Sequence, residues 1–194
     1  MYNEFFGFKE KPFEITPDPK FLYLTSSHKK ALDAMLKGIH NRQSFITITG
    51  EVGTGKTTLI YALLNNLDDK VKTAFVFHTL ISFEEIMEII LRELYLDVTR
   101  KDKESLLKQL VEYLSHIGID ETVTVIIDEA HHLSKEVLQE LGKLSDLSSI
   151  IPLRLQIILV GKPELKILLH SPELQHINQQ IKIRREIMPL HSEE

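Results

Sequence analysis

The run Gly50-Glu51-Val52-Gly53-Thr54-Gly55-Lys56-Thr57 constrains this chain more than any other stretch of it. It fits the pattern G-x-x-x-x-G-K-[ST] and stands between two unlike neighbours. Before it lies Ser44 to Thr49 (SFITIT), rich in β-branched and aromatic residues; after it, Thr58-Leu59-Ile60-Tyr61-Ala62-Leu63-Leu64 continues at helical spacing. The glycines therefore fall at a strand-to-helix turn. Such a turn points successive backbone N–H groups and the positive end of a helix dipole at one spot, which is a place for phosphate. The candidate phosphate-contacting residues are Glu51, Val52, Gly53, Thr54, Gly55, Lys56, Thr57 and Thr58. Lys56 is expected to reach the β and γ phosphates and the Thr57 hydroxyl to ligate Mg²⁺.

A second acidic motif follows the apolar run Val123-Thr124-Val125-Ile126-Ile127, which ends in Asp128-Glu129. A near-continuous apolar run suits a strand buried on both faces of a parallel sheet, whose strand ends face the ligand crevice. Asp128 is thus a candidate Mg²⁺ ligand. Glu129 is placed to orient and deprotonate an attacking water, and Glu129 and Lys56 are the candidate catalytic pair. Together the two motifs point to ATP binding and Mg²⁺-dependent hydrolysis.

Composition sets bounds on the rest. The 194 residues, 43% hydrophobic and 26% charged, suit one globular domain with a sizeable core. No run approaches the roughly 20 apolar residues that span a bilayer, and the N-terminus lacks a signal-peptide pattern. A cytoplasmic location is expected from the nucleotide. The absence of cysteine excludes disulfides and thiolate metal sites. A net charge of −5 argues against a dominant nucleic-acid surface. The short basic clusters His28-Lys29-Lys30, Arg100-Lys101-Asp102-Lys103 and Lys182-Ile183-Arg184-Arg185 read first as solvated helix ends and loops, with a nucleic-acid patch the less favoured reading.

Strand and helix patterns alternate along the chain, as a doubly wound α/β fold requires. A helix is expected over Ser27 to His40, with Thr25 and Ser26 as capping hydroxyls, then a strand at Ser44 to Thr49 and a helix to about Asn66. A strand at Thr73 to His78 precedes two amphipathic helices, one carrying Ile86, Met87, Ile90, Leu91 and Leu94, the other Leu106, Leu107, Leu110, Val111 and Leu114. After the acidic strand come a helix from about Lys135 to Leu147, a strand at Leu155 to Val160, a short helix around Glu164 to His170 and a last strand near Ile181 to Ile187. Phe5, Phe6, Phe8, Phe13 and Phe21 are expected mainly to pack the N-terminal arm onto the core.

The order of motifs resembles AAA+ ATPases of the general secretion pathway protein A (ExeA/GspA) type. The resemblance rests on Tyr2-Asn3-Glu4-Phe5-Phe6-Gly7-Phe8, Lys11-Pro12-Phe13, Thr16-Pro17-Asp18-Pro19 and Phe21-Leu22-Tyr23-Leu24. It continues through the phosphate loop to Asp128-Glu129-Ala130, Leu133-Ser134 and Leu159-Val160-Gly161 with Pro163-Glu164-Leu165. It implies an AAA+ core with five parallel strands in the order 5-1-4-3-2, ATP hydrolysis, and sites at the interfaces of a homo-oligomer or a complex with a partner ATPase. It further implies work with secretion or pilus assembly proteins in the cell envelope, related domains serving DNA transposition. Residues 1–26 would form an arm bordering the adenine, with Tyr23 beside it. A helical lid would begin after residue 190, so the chain is expected to be a single core domain, 1–194, with the lid absent.

The resemblance also sets expectations that these residues depart from. A sensor at the end of the fourth strand is commonly Gln in the family and is Lys162 here, a cation that still reaches phosphate or else faces solvent. The family's Gln-Arg-Ile stands as Gln179-Gln180-Ile181, and a helix position that commonly carries Arg is Gly142. An arginine finger can be worth roughly 10³ to 10⁵ in rate; Arg184 or Arg185 could replace it from the last strand or equally serve as solubilising charges on an edge strand, so the finger is unassigned. Asp128-Glu129-Ala130-His131 also spells the DEAH box of certain helicases, but those need a second RecA-like domain, for which one phosphate loop in 194 residues leaves no room. His131 and His132 are expected to begin the following loop and helix rather than to hold a metal.

Overall fold

The computed structural model describes residues 5–7, 24–77, 79–146 and 154–189. Strands β1 (Phe45–Gly50), β2 (Val71–Val76), β3 (Thr122–Ile127), β4 (Leu155–Gly161) and β5 (Ile181–Ile187) form one sheet in the order β2-β3-β4-β1-β5. Every pairing is parallel. Read from the other edge this is the 5-1-4-3-2 order that the resemblance implies. The helices are α1 (Ser26–His40), α2 (Lys56–Leu64), α3 (Phe83–Glu93), α4 (Lys103–His116), α5 (Lys135–Asp146), α6 (Glu164–Leu169) and α7 (Gln175–Gln180).

The three inner strands explain why their sequences lack polar alternation. β1, β3 and β4 are buried at every position, so both of their faces meet protein. On one face Phe45, Val125, Ile127, Ile157 and Leu159 pack against α3, α4, α5, α6 and α7. On the other, Ile46, Ile48, Ile126, Ile158 and Val160 meet Ala31, Met35 and Ile39 of α1 and Leu59, Ile60 and Leu63 of α2. Three polar residues inside β3 and β4 pair with one another. Thr122 and Thr124 donate from Oγ1 to Gln156 Oε1 at 2.6 and 3.4 Å, satisfying groups that would otherwise destabilise the core.

Local chemistry sets the helix starts. Thr25 caps α1, accepting from the His28 N–H, so Thr25 serves as the cap while Ser26 lies inside the helix. Ser82 and Glu85 form a reciprocal capping box at α3, and the Asp102 side chain caps α4.

Several boundaries differ from those expected from sequence. β2 begins at Val71 and ends at Val76, because its register pairs Val71 with Thr122 and Val76 with Ile127. The expected end at His78 lies outside the described residues, as does Leu147 at the end of α5. The helix after the phosphate loop ends at Leu64 rather than Asn66, whose side-chain amide donates instead to the Ala62 carbonyl. A turn at Pro172–Leu174 and helix α7 were not expected at all. The aromatic arm also departs from expectation: Phe5 and Phe6 are exposed and meet each other edge to face at 4.9 Å. Phe8, Phe13, Phe21 and Tyr23 lie outside the described residues.

Candidate functional site

The sheet order brings three strand ends side by side. β4 lies between β3 and β1, so the loop leaving β1 at Gly50, the acidic pair leaving β3 and Gly161-Lys162 leaving β4 all emerge along one rim.

The loop after β1 is shaped by its glycines. Gly55 is the N-cap of α2 in the left-handed region, φ 79°, and supplies no side-chain cap, so the first-turn N–H groups of α2 have no intrahelical partner. Gly50 is required by close approach, since a Cβ there would stand 2.7 Å from Thr54 Oγ1 and 2.9 Å from the Ile187 carbonyl. Thr54 Oγ1 donates to the Glu51 carbonyl at 2.8 Å, closing the loop on itself. Gly50→Ala is therefore expected to destabilise the domain by about 1 to 3 kcal/mol through overpacking, read as a lower urea midpoint. Glu51, Val52 and Gly53 are exposed at the tip, Thr54 and Lys56 are buried, and Gly55, Thr57 and Thr58 lie between.

A residue outside the loop holds it in place. His28, expected as part of a solvated basic cluster, is buried; its ring meets Thr25 Oγ1 through Nδ1 at 2.8 Å and the Thr54 carbonyl through Nε2 at 2.7 Å. It thus ties the start of α1 to the loop. The available signal was its place three residues after the capping Thr25, where a side chain on the first turn faces back toward the cap.

Lys56 curls over the loop. Its ammonium donates to the Gly50 and Glu51 carbonyls at 2.9 and 2.8 Å, leaving one N–H uncommitted among the described residues. Thr57 Oγ1 donates to Asp128 Oδ2 at 2.7 Å, and the other Asp128 oxygen accepts the Glu129 N–H at 2.8 Å. A hydroxyl oxygen and a carboxylate oxygen in contact are the hard donor set that suits Mg²⁺, which takes one or two protein ligands and fills the rest with water and phosphate. The sequence-derived pair Thr57 and Asp128, 71 residues apart, is thereby brought together.

Glu129 occupies the left-handed region, φ 51° and ψ 32°, at a cost of about 1 to 2 kcal/mol for a non-glycine residue. The Thr79 hydroxyl donates to its carbonyl at 3.1 Å, and the tight turn Ala130–His132 follows. This turn replaces the expected loop and helix start. It gathers Glu129, His131 and His132 so that their ligand atoms lie within 4.8 Å of one another, a grouping that spacing alone did not reveal. Lys162 stands half-buried at the end of β4, its backbone N–H donating to His131 Nδ1 at 3.3 Å.

The candidate finger residues on β5 make hydrogen bonds within their own chain. Arg184 bonds to the Asn178 carbonyl and Oδ1, both at 2.6 Å, and Arg185 donates to the Arg184 carbonyl at 2.8 Å. Gly142, where the resemblance would place Arg, is buried on α5, and a Cβ on it would lie 3.5 Å from Ile177 Cβ. Two lysines near the start of α4 pair with carboxylates, Lys101 with Glu88 and Lys103 with Glu140.

Residues 39–169, spanning the loop, the acidic strand and β4, match the AAA domain family. The chain belongs to the AAA domain family. General secretion pathway protein A of Aeromonas hydrophila is 35% identical over 195 residues, covering 98% of this chain and 35% of that protein. This chain thus spans about a third of that relative's length. Among solved structures, Cdc6p from Pyrobaculum aerophilum superposes with a TM-score of 0.71 at 19% identity, over 91% of this chain and 48% of that one. The Aeropyrum pernix ORC2 protein in its ADP form gives a TM-score of 0.70 at 19% identity, over 94% of this AAA domain and 52% of that chain. These likenesses establish the fold. Among the described residues no helix is long and apolar enough to cross a membrane.

Proposed function

We propose that this AAA domain binds ATP at the rim formed by the β1 loop and hydrolyses it with Mg²⁺. The observation that carries the reading is the contact of Thr57 with Asp128, beside a loop whose lysine and α2 N-terminus converge on one place. In the proposal, the backbone of residues 51–58 and the Lys56 ammonium hold the phosphate chain, and Thr57 and Asp128 hold the Mg²⁺ ion. Bound Mg²⁺ would neutralise charge on the phosphate oxygens. Asp128 keeps its second oxygen on the Glu129 N–H, which fixes where the Glu129 side chain begins, and Glu129 serves as base for the attacking water. Lys162, at the end of β4, is assigned to the phosphate side of the site. Tyr23, which lies outside the described residues, is proposed to stand beside the adenine.

The proposal extends to assembly. The cation that completes the site is assigned to the far side of a subunit interface, in a neighbouring copy or a partner ATPase, and the isolated chain turns over slowly. By its likeness to general secretion pathway protein A, the domain is assigned to the energising of secretion or pilus assembly in the envelope, from the cytoplasmic side where ATP is supplied. The domain is proposed to be a single AAA+ core that works with a helical lid.

The test is thermal stability with ATP, with and without Mg²⁺. At ligand about 100 times its dissociation constant the folded state gains about 2.7 kcal/mol, which for a domain of this size is about 5 to 10 °C. The expected result is a shift of that order that shrinks when EDTA is added. No shift at millimolar ATP would overturn the reading.

A further inference from the structure

His131 is the buried titratable group that the proposed mechanism leaves without a task. Its side chain is 6% exposed, and among the described residues its Nε2 has no hydrogen-bond partner. A buried ring N–H without a partner is unfavourable and is rare in folded proteins. The nearest carboxylate is that of Glu129, with Oε2 3.5 Å from Nε2. That is too long for a good hydrogen bond, yet a small side-chain rotation of Glu129 would close it, and the Glu129 side chain is 41% exposed and free to turn.

The other ring nitrogen settles the proton. Nδ1 accepts the Lys162 backbone N–H, so a neutral ring carries its hydrogen on Nε2, the atom facing Glu129. Burial first, and then the neighbouring His132, hold the His131 imidazolium below the usual histidine range, which keeps the ring neutral near pH 7. Gly161 makes the arrangement possible. A Cβ at that position would stand 3.2 Å from both His131 N and His131 Nδ1, so only a residue without one lets β4 approach the ring this closely.

Resting on the reading of Glu129 as the base, we infer that His131 is its positioning residue: Nε2–H holds the Glu129 carboxylate while Nδ1 registers the end of β4 through Lys162 N–H. A shift of that strand end therefore moves the ring and, with it, the base. His132 does not serve equally, since its Nε2 is 4.0 Å from Glu129 and its side chain is 46% exposed.

Three substitutions separate this role from mere packing. His131→Gln places an amide N–H near the Nε2 position, His131→Asn keeps only an acceptor near Nδ1, and His131→Leu keeps neither. Expected is a fall in kcat for ATP of about tenfold to a hundredfold in His131→Leu and His131→Asn, with KM within about twofold, and substantial recovery in His131→Gln. Unchanged kcat in His131→Leu, or a loss in His131→Gln equal to that in His131→Leu, would overturn the inference. Long-range ¹H–¹⁵N spectra of the histidines in the wild-type domain give a readout that does not depend on turnover. If the wild type does not hydrolyse ATP, the proposed activity fails, and the contact itself is judged by these spectra. An Nε2–H tautomer for His131 whose shift moves in Glu129→Ala supports it; an Nδ1–H tautomer, or no response, overturns it.

Discussion

Lys56→Ala is expected to remove half or more of the stabilisation that ATP confers. The Lys56 ammonium donates to two loop carbonyls and has a third N–H for phosphate, while its charge sits in a buried position at the N-terminus of α2. A charge-assisted bond of this kind contributes about 1.5 to 3 kcal/mol, which converts to roughly a tenfold to hundredfold loss of affinity. With ATP at 100 times the wild-type dissociation constant, the wild type gains about 2.7 kcal/mol, and a variant bound tenfold to a hundredfold more weakly gains about 1.4 to 0.4 kcal/mol. The melting shift should fall from about 5 to 10 °C to about 1 to 5 °C. The ligand-free variant should also melt lower, because the Gly50 and Glu51 carbonyls lose a donor. A full ATP shift in Lys56→Ala would show that nucleotide binds somewhere other than this loop.

Glu129→Gln should do the opposite: leave binding and remove turnover. The Glu129 carboxylate takes no part in the Thr57–Asp128 contact or in the Lys56 hydrogen bonds, so the groups proposed to hold ATP and Mg²⁺ are intact in the variant. Its amide cannot accept a proton from water, and loss of a positioned base costs about 10² to 10⁴ in rate. The backbone should tolerate the change, because glutamine has the same shape and inherits the same Thr79 and Asp128 contacts to the main chain. Isothermal titration should give an ATP affinity within about threefold of wild type, with phosphate release at background. Turnover within a few fold of wild type would remove Glu129 from its proposed role.

What was legible in the sequence follows from how directly each feature is encoded. The phosphate loop and β3 were readable because their chemistry is local: glycines at a strand-to-helix turn, and a carboxylate pair ending an apolar run. The parallel sheet was readable because inner strands buried on both faces must be apolar throughout, as β1, β3 and β4 are. The order of the strands came from resemblance, since nothing local encodes that β4 inserts between β3 and β1. Helix α7 escaped because it is six residues long with Ile177 as its buried anchor, too short for a periodic pattern to register. The tasks of His28 and His131 were hidden for another reason. Each depends on a carbonyl or N–H from a distant segment, Thr54 for one and Lys162 for the other, and side-chain identity says nothing of which backbone group will meet it. His131 was expected only to begin the loop that leads into the next helix; the left-handed Glu129 turns it inward.

The most direct test of the account is Mg²⁺-dependent phosphate release per subunit as protein concentration rises, with Glu129→Gln as the blank. The account predicts specific activity that climbs with concentration, disappears in the variant and disappears with EDTA, as expected of a hydrolytic site completed by a neighbouring subunit. ATP binding at full affinity with turnover at the blank level across the whole concentration range would contradict it, and would make this domain a nucleotide-binding module rather than an ATPase.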